Sequence, residues 1–163
     1  MPRGMPWWDP SKEINGQIAA SLVNGIQSQG VGACLKHFAV NNQELGRMYM
    51  DAVVDDRTLR EIYLRGFEIA VKTAKPWTVM CAYNRLNGVY CSEHDWLLNT
   101  VLRDEWGFAG AVMTDWGAAN DRPLGIDAGL DLEMPSSGGV NDALVARAVV
   151  DGDLDETVLD RAI

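Results

Sequence analysis

Three stretches of this 163-residue chain end apolar runs on side chains that a buried strand does not need. The first is Lys36-His37-Phe38, leading into Asn41-Asn42-Gln43-Glu44 and Arg47. The second is Met80-Cys81-Ala82-Tyr83-Asn84-Arg85, and the third is Asp115-Trp116. Together they offer a carboxylate, cations, an imidazole, a phenol and an indole. Sugar hydroxyls take charged and amide partners, and the apolar face of a pyranose takes an aromatic platform. Gathered at one rim, these residues would suit a carbohydrate. Each also has a simpler structural role: Asp115 can cap a following helix, and Lys36 with His37 can form a strand-end salt bridge beside a buried imidazole. Three such ends in succession favour the site.

Asp115 is the focus. Ala111, Val112 and Met113 form an apolar run, with Gly107 and Gly110 upstream and Gly117 downstream. That punctuation reads as a short buried strand rather than a helix. A carboxylate at the carboxyl end of a parallel strand is where α/β folds place chemistry.

The elements that must position these ends alternate along the chain. Met1 to Trp8 has two prolines and two adjacent tryptophans but no regular period, and forms an irregular N-terminal segment. Asp9-Pro10 starts a helix, Ile14, Ile18, Leu22 and Ile26 give it one apolar face, and Gly30 closes it. Val31 to Phe38 reads as a strand and Asn41 to Asp55 as a long polar loop. A second helix runs from about Asp56 to Lys75, with Leu59, Ile62, Tyr63, Phe67, Ala70 and Ala74 inward and Pro76 as its stop. Trp77 to Tyr83 is the next strand. Ser92-Glu93-His94-Asp95 reads as a capping box opening a third helix, with Trp96, Leu97, Val101 and Leu102 inward and Gly107 as its end. After the Asp115 strand come a short strand, Leu130 to Met134, and helices over 141–150 and 155–163.

This rhythm predicts an α/β fold with a parallel sheet and covering helices. A complete (β/α)8 barrel of TIM type needs about 250 residues, or about 31 per unit. Residues 9–163 therefore hold about five units of an incomplete barrel, whose termini leave open sheet edges available for self-association.

Composition limits the partners. A net charge of −9 argues against nucleic acid and anionic membrane surfaces and suits a neutral ligand. No apolar run reaches membrane-spanning length, and the N-terminus lacks the basic-then-apolar form of a signal peptide, which leaves the compartment open. Cys34, Cys81 and Cys91 are scattered, an odd number with no metal-ligand spacing, and read as reduced thiols. No metal and no cofactor is expected.

From Asp9 to Ile163 the chain resembles glycoside hydrolase family 3, in its β-glucosidase/β-xylosidase branch. The resemblance is carried by residues 25–31, by Lys36-His37-Phe38-Ala39-Val40-Asn41-Asn42-Gln43-Glu44, by residues 79–85, by Trp106-Gly107-Phe108, by Thr114-Asp115-Trp116-Gly117-Ala118 and by residues 129–135. It implies a retaining glycosidase removing terminal β-linked glucosyl or xylosyl residues, with Asp115 as nucleophile. By the same resemblance Lys36 and His37 hold sugar hydroxyls, Tyr83 sits against the nucleophile, Met80 lines the pocket, Trp116 flanks the sugar and Arg47 belongs to the loop. Glu44, Asp131 and Glu133 are read as loop and strand-end hydrogen-bonding groups. The N-acetylhexosaminidase branch is set aside, because Ala39-Val40-Asn41 follows Phe38 and no loop histidine is at hand.

The resemblance also implies parts that this chain does not match. Earlier barrel strands of the family carry another sugar-binding aspartate and an arginine, and its acid/base glutamate lies on a later domain, beyond Ile163. Retaining hydrolysis uses two carboxyl groups about 5–5.5 Å apart. The expectation is thus a catalytic-barrel fragment lacking its acid/base. The alternative is an inactive half-barrel serving as a sugar-binding, structural or self-associating module.

Overall fold

The computed structural model describes residues 10–162. The Met1–Trp8 segment and the Asp9 cap lie outside these residues. Helix α1 spans Pro10–Gln27 and is followed by strand β1, Cys34–Phe38, and the two-residue strand β2, Asp51–Ala52. Helix α2 covers residues 56–74 as one rod: an α-turn at Asp56–Thr58, a π-type stretch at Leu59–Leu64, and α-helix from Arg65–Ala74. Asp55 caps its start by accepting from the Thr58 N–H, and Lys75 turns it off at φ 49° before Pro76. Strands β3 (Thr78–Cys81), β4 (Arg85–Leu86) and β5 (Val89–Tyr90) lead through a 3-10 turn at Cys91–Glu93 to α3, Trp96–Glu105, which has π-type hydrogen bonding. Strand β6 (Ala111–Met113), α4 (Arg122–Asp127), α5 (Val140–Asp151) and α6 (Glu156–Arg161) complete the chain.

Strands β1, β3 and β6 lie side by side in chain order, all parallel. A bridge from Met113 to Leu132 adds a fourth segment. With the helices crossing between them, these strands form the wall of an incomplete (β/α)8 barrel. Counting α1 as the helix of a preceding unit gives the five-unit run expected. The core fills the space between sheet and helices with Phe38, Leu59, Leu64, Val79, Leu97, Leu98, Val101, Leu102 and Val112. Phe67 and Trp106 meet the Phe38 ring edge-on, with centroids 5.2 and 5.8 Å away. The β1–β3 register shifts between Leu35 and Phe38, and the Lys36–His37 and Phe38–Ala39 peptide bonds are cis.

Several expectations are corrected. The Ile14, Ile18, Leu22, Ile26 stripe faces outward, with the first three 58%, 61% and 64% exposed. The buried face of α1 is instead the small-residue side, Gly16, Ala20 and Val23. Small residues win because they let the helices approach: a methyl group on Gly16 would lie 2.8 Å from the Ile69 Cβ. The Glu13 carboxylate accepts from Arg65 Nε at 2.7 Å and fixes the same contact. Ile62 is also exposed, while Leu64, Ile69 and Val71 are buried. A π-type stretch turns the helix phase away from the 3.6-residue period, so buried positions predicted from that period slip.

The loop over 41–55 is partly built into a second sheet, β2-β4-β5, in which Asp51 pairs with Arg85 and Arg85 with Tyr90. Its hairpin turns on Asn87-Gly88, both at positive φ (51° and 94°), as a two-residue I′ turn demands. The Leu130–Met134 segment makes only the single bridge rather than a strand. The capping box does not form; Ser92 and Glu93 bond elsewhere, as described below.

Gly110 stands where β6 begins. A Cβ there would collide with the Trp77 carbonyl and lie 2.8 Å from the Phe108 ring. Gly110→Ala should therefore cost about 1–3 kcal/mol of stability. Ile18→Gln, on the exposed stripe, should change it by no more than about 0.5 kcal/mol. Urea unfolding of the two variants beside the parent checks both values.

Candidate active site

β6 is only three residues long, so its carboxyl end has to be held by something besides ladder bonds. Thr114, fully buried, supplies part of it. Its N–H donates to the Leu132 carbonyl at 3.0 Å. Its hydroxyl donates to the Met134 carbonyl at 3.1 Å and accepts from the Met134 N–H at 2.8 Å. Further back, the Asp131 carboxylate accepts from the Val112 N–H at 2.6 Å and from Arg103 at 2.7 Å. Arg122 donates to the Leu130 and Asp131 carbonyls at 3.1 and 2.7 Å. Side chains thus reinforce a short backbone ladder between β6 and the 130–134 segment, in which the Asp131 and Leu132 N–H groups also donate to the Val112 carbonyl, both at 3.0 Å.

Asp115 emerges from this clamp at the strand end. Gly117, at φ 78°, turns the chain sharply and donates its N–H to the Met134 carbonyl at 2.8 Å. Asp115 Oδ1 accepts the Trp116 N–H at 2.7 Å, and Oδ2 lies 3.3 Å from His37 Nε2 at the end of β1. Asp115 does not cap the next helix; Asp121 caps α4, accepting from the Leu124 N–H. His37 is not a buried imidazole, since its side chain is 37% exposed.

Tyr83, beyond the end of β3, reaches the same point. Its hydroxyl donates to the Trp116 carbonyl at 2.8 Å. Burial first, and then the Asp115 carboxylate beside it, push its pKa above the ordinary 10. Arg47 lies over the Tyr83 ring, 4.9 Å from its centroid, and is held there by Glu44 at 2.8 Å. Glu44 also takes a bond from Asn41 at 3.0 Å, and Glu133 takes one from Asn141 at 2.7 Å. Both carboxylates therefore serve local hydrogen bonds, as does Asp131.

The structure thus joins Asp115, His37, Tyr83, Arg47 and the Trp116 backbone in one set of contacts. Trp116 is 58% exposed beside the carboxylate. Met80 is half-buried on β3, paired with Met113 of β6. Lys36 is exposed and lines a separate cleft of about 290 Å³ with Lys12, Asn15, Asn42, Tyr63 and Phe67. Thr114, Ser92 and Glu93 were not anticipated at this site. Their signal in the sequence is a polar side chain adjoining an apolar run, and it does not say which backbone groups they meet.

The whole chain, residues 1–163, matches the family model described as the glycosyl hydrolase family 3 N terminal domain. It is 56% identical over 161 residues to thermostable beta-glucosidase B of Acetivibrio thermocellus, covering 99% of this chain and 21% of that protein. It is 51% identical over 159 residues to an exo-α-(1→6)-L-arabinopyranosidase of Bifidobacterium longum, covering 98% of this chain and 21% of that one. Among solved structures, beta-glucosidase 3B of Thermotoga neapolitana in complex with α-D-glucose superposes with a TM-score of 0.90 at 51% identity. That superposition covers 93% of this chain and 22% of the other. The chain therefore spans about a fifth of the length of these relatives.

The Tyr83 environment is open to titration. The midpoint of its titration should lie above pH 10, and Asp115→Asn should move it down toward the ordinary value, because one of the two causes raising it is gone. Ring-carbon NMR of the assigned tyrosines against pH checks this; an unmoved Tyr83 pKa in the variant would place the carboxylate outside its influence.

Proposed function

This chain belongs to glycosyl hydrolase family 3, and from that premise we propose that it carries the nucleophile-bearing part of a retaining β-glycosidase acting on terminal glucosyl or xylosyl residues. The observation that carries the reading is the Asp115 carboxylate at the carboxyl end of β6, facing His37 and flanked by an exposed tryptophan. In the first step a carboxylate oxygen of Asp115 bonds to the anomeric carbon. The bond from that carbon to the leaving oxygen breaks, its electron pair stays with the oxygen, and a general acid protonates it. Water then attacks the same carbon, giving up its proton to the conjugate base, and the ester to Asp115 breaks.

The other residues take supporting roles in this reading. His37 binds hydroxyls of the terminal sugar and Trp116 offers its face to the pyranose, while Lys36, which lines a separate cleft, is given no part in it. Tyr83, neutral at ordinary pH, donates its one hydrogen bond to the Trp116 carbonyl beside the nucleophile, Arg47 caps its ring, and Met80 lines the floor. The chain spans about a fifth of the relatives' length, and the general acid of this scheme is not assigned to any of its residues. Absence of a general acid costs about 10²–10⁴ in rate, and most for poor leaving groups.

A second reading of the sugar rests on the arabinopyranosidase relatives, whose identity to this chain is close to that of the glucosidases. An arabinopyranosyl unit lacks the hydroxymethyl group of glucose, so the two aryl glycosides distinguish the specificities.

The test uses 2,4-dinitrophenyl β-glucoside, whose leaving group departs without protonation. The purified chain should release dinitrophenol, and Asp115→Ala should lower that release by at least about 10³-fold. A 2-deoxy-2-fluoro glucoside should add one glycosyl mass to the chain, located on Asp115 by peptide mapping. Labelling that persists in Asp115→Asn would remove the nucleophile assignment. A well-folded chain with no turnover and no label would favour the alternative, a half-barrel that binds sugar or serves as structure without catalysis.

A further inference from the structure

The Ser92-Glu93 pair is the strongest polar feature of the fold that the reaction scheme leaves unused. Both are buried, Ser92 1% and Glu93 9% exposed, and neither caps α3. They turn instead to the loop that follows Asp115. The Ser92 hydroxyl donates to the Ala118 carbonyl at 2.8 Å. Glu93 Oε1 accepts the N–H of Asn120 at 3.0 Å and of Asp121 at 2.8 Å. Three backbone groups between Asp115 and α4 are thus held by two adjacent side chains.

The remaining anchors of this loop lie at its other end. Tyr83 holds the Trp116 carbonyl, and the Met134 carbonyl holds the Gly117 N–H. Trp116 heads the loop, its carbonyl held in this set of tethers, and the Ser92–Glu93 set holds the loop's far end at residues 118–121, so the turn that carries the exposed tryptophan is fixed from both ends. A buried carboxylate receiving two amide protons is a strong tether, because charge-assisted bonds exceed neutral ones and removal of the acceptor leaves two donors unpaired.

We propose that Glu93, with Ser92, is a positioning residue for the sugar site: through the backbone of residues 118–121 it fixes the Asp115-Trp116 turn that meets the substrate. This rests on the reading of Asp115 and Trp116 as nucleophile and platform. Glu93 acts through the loop backbone and has no role at the reacting atoms.

The experiment follows backbone amide hydrogen exchange by NMR in the parent, Glu93→Ala, Glu93→Gln and Ser92→Ala. The Trp116 N–H, which is not bonded to Glu93, should exchange about tenfold faster in Glu93→Ala, while the core amide of Val112 keeps its protection. Glu93→Gln retains an acceptor oxygen and should stay within about threefold of the parent. Glucose, titrated while watching the Trp116 indole, should bind about tenfold more weakly to Glu93→Ala. Should Glu93→Ala not fold, Ser92→Ala carries the same test with a smaller loss of about threefold. Unchanged Trp116 exchange in the variants would overturn the proposal, as would acceleration at Trp116 and Val112 alike. If glucose leaves the parent's Trp116 indole unmoved, the carbohydrate reading is the part that fails, and the exchange data still decide whether Glu93 fixes the turn.

Discussion

A strand of three residues has few ladder bonds with which to fix its own end, and at β6 neighbouring side chains add to the backbone bonds that hold the Asp115 carboxylate in place. Asp131 takes the Val112 N–H, Thr114 exchanges two bonds with Met134, and Arg103 and Arg122 hold the carbonyls on the far side. Each of these groups would otherwise be a polar atom in a partly buried place, at a cost of about 1–3 kcal/mol apiece when unpaired. The clamp therefore stabilises the fold and aims Asp115 by the same bonds.

The site then combines contacts that pull in different directions. Asp115 raises the pKa of Tyr83, while Arg47 above the ring lowers it. Burial adds to the upward shift, so the phenol stays a donor near neutral pH. The three strand ends that supply His37, Tyr83 and Asp115 come from successive parallel strands. That is the arrangement by which parallel barrels gather chemistry at one rim.

Much of this was legible because the strands are short apolar runs with firm punctuation. β1, β3 and β6 fall where glycine, proline and β-branched residues put them, and Asp115 follows from its place at a strand end. The losses have separate physical causes. Helix α1 has two candidate faces, and periodicity picks out the large residues although the small ones permit the closer approach to Ile69. The π-type stretch in α2 moves Ile62 outward by altering the turn angle. Ser-x-x-Asp spacing at Ser92 satisfies a capping pattern, yet tertiary neighbours offered the same side chains better-placed partners. The Asn87-Gly88 hairpin and the Asp121-Arg122-Pro123 start of α4 are not among the elements expected from the sequence, although their residue types carry the signal.

The outward-facing stripe of α1 also affects how the chain behaves as a solute. From Ile14 to Leu35 the sequence contains no charged residue, so the net charge of −9 is carried entirely by other regions. The molecule is therefore a polyanion with one uncharged, water-avoiding strip. At low ionic strength, mutual repulsion keeps two such strips apart. With a Debye length of about 8 Å at physiological salt, that repulsion no longer reaches across a helix diameter. Added salt, or a pH near the isoelectric value of 4.6, removes the barrier without altering the strip. Colloidal stability of the chain is thus set by electrolyte, although the fold itself is held by short-range packing and hydrogen bonds.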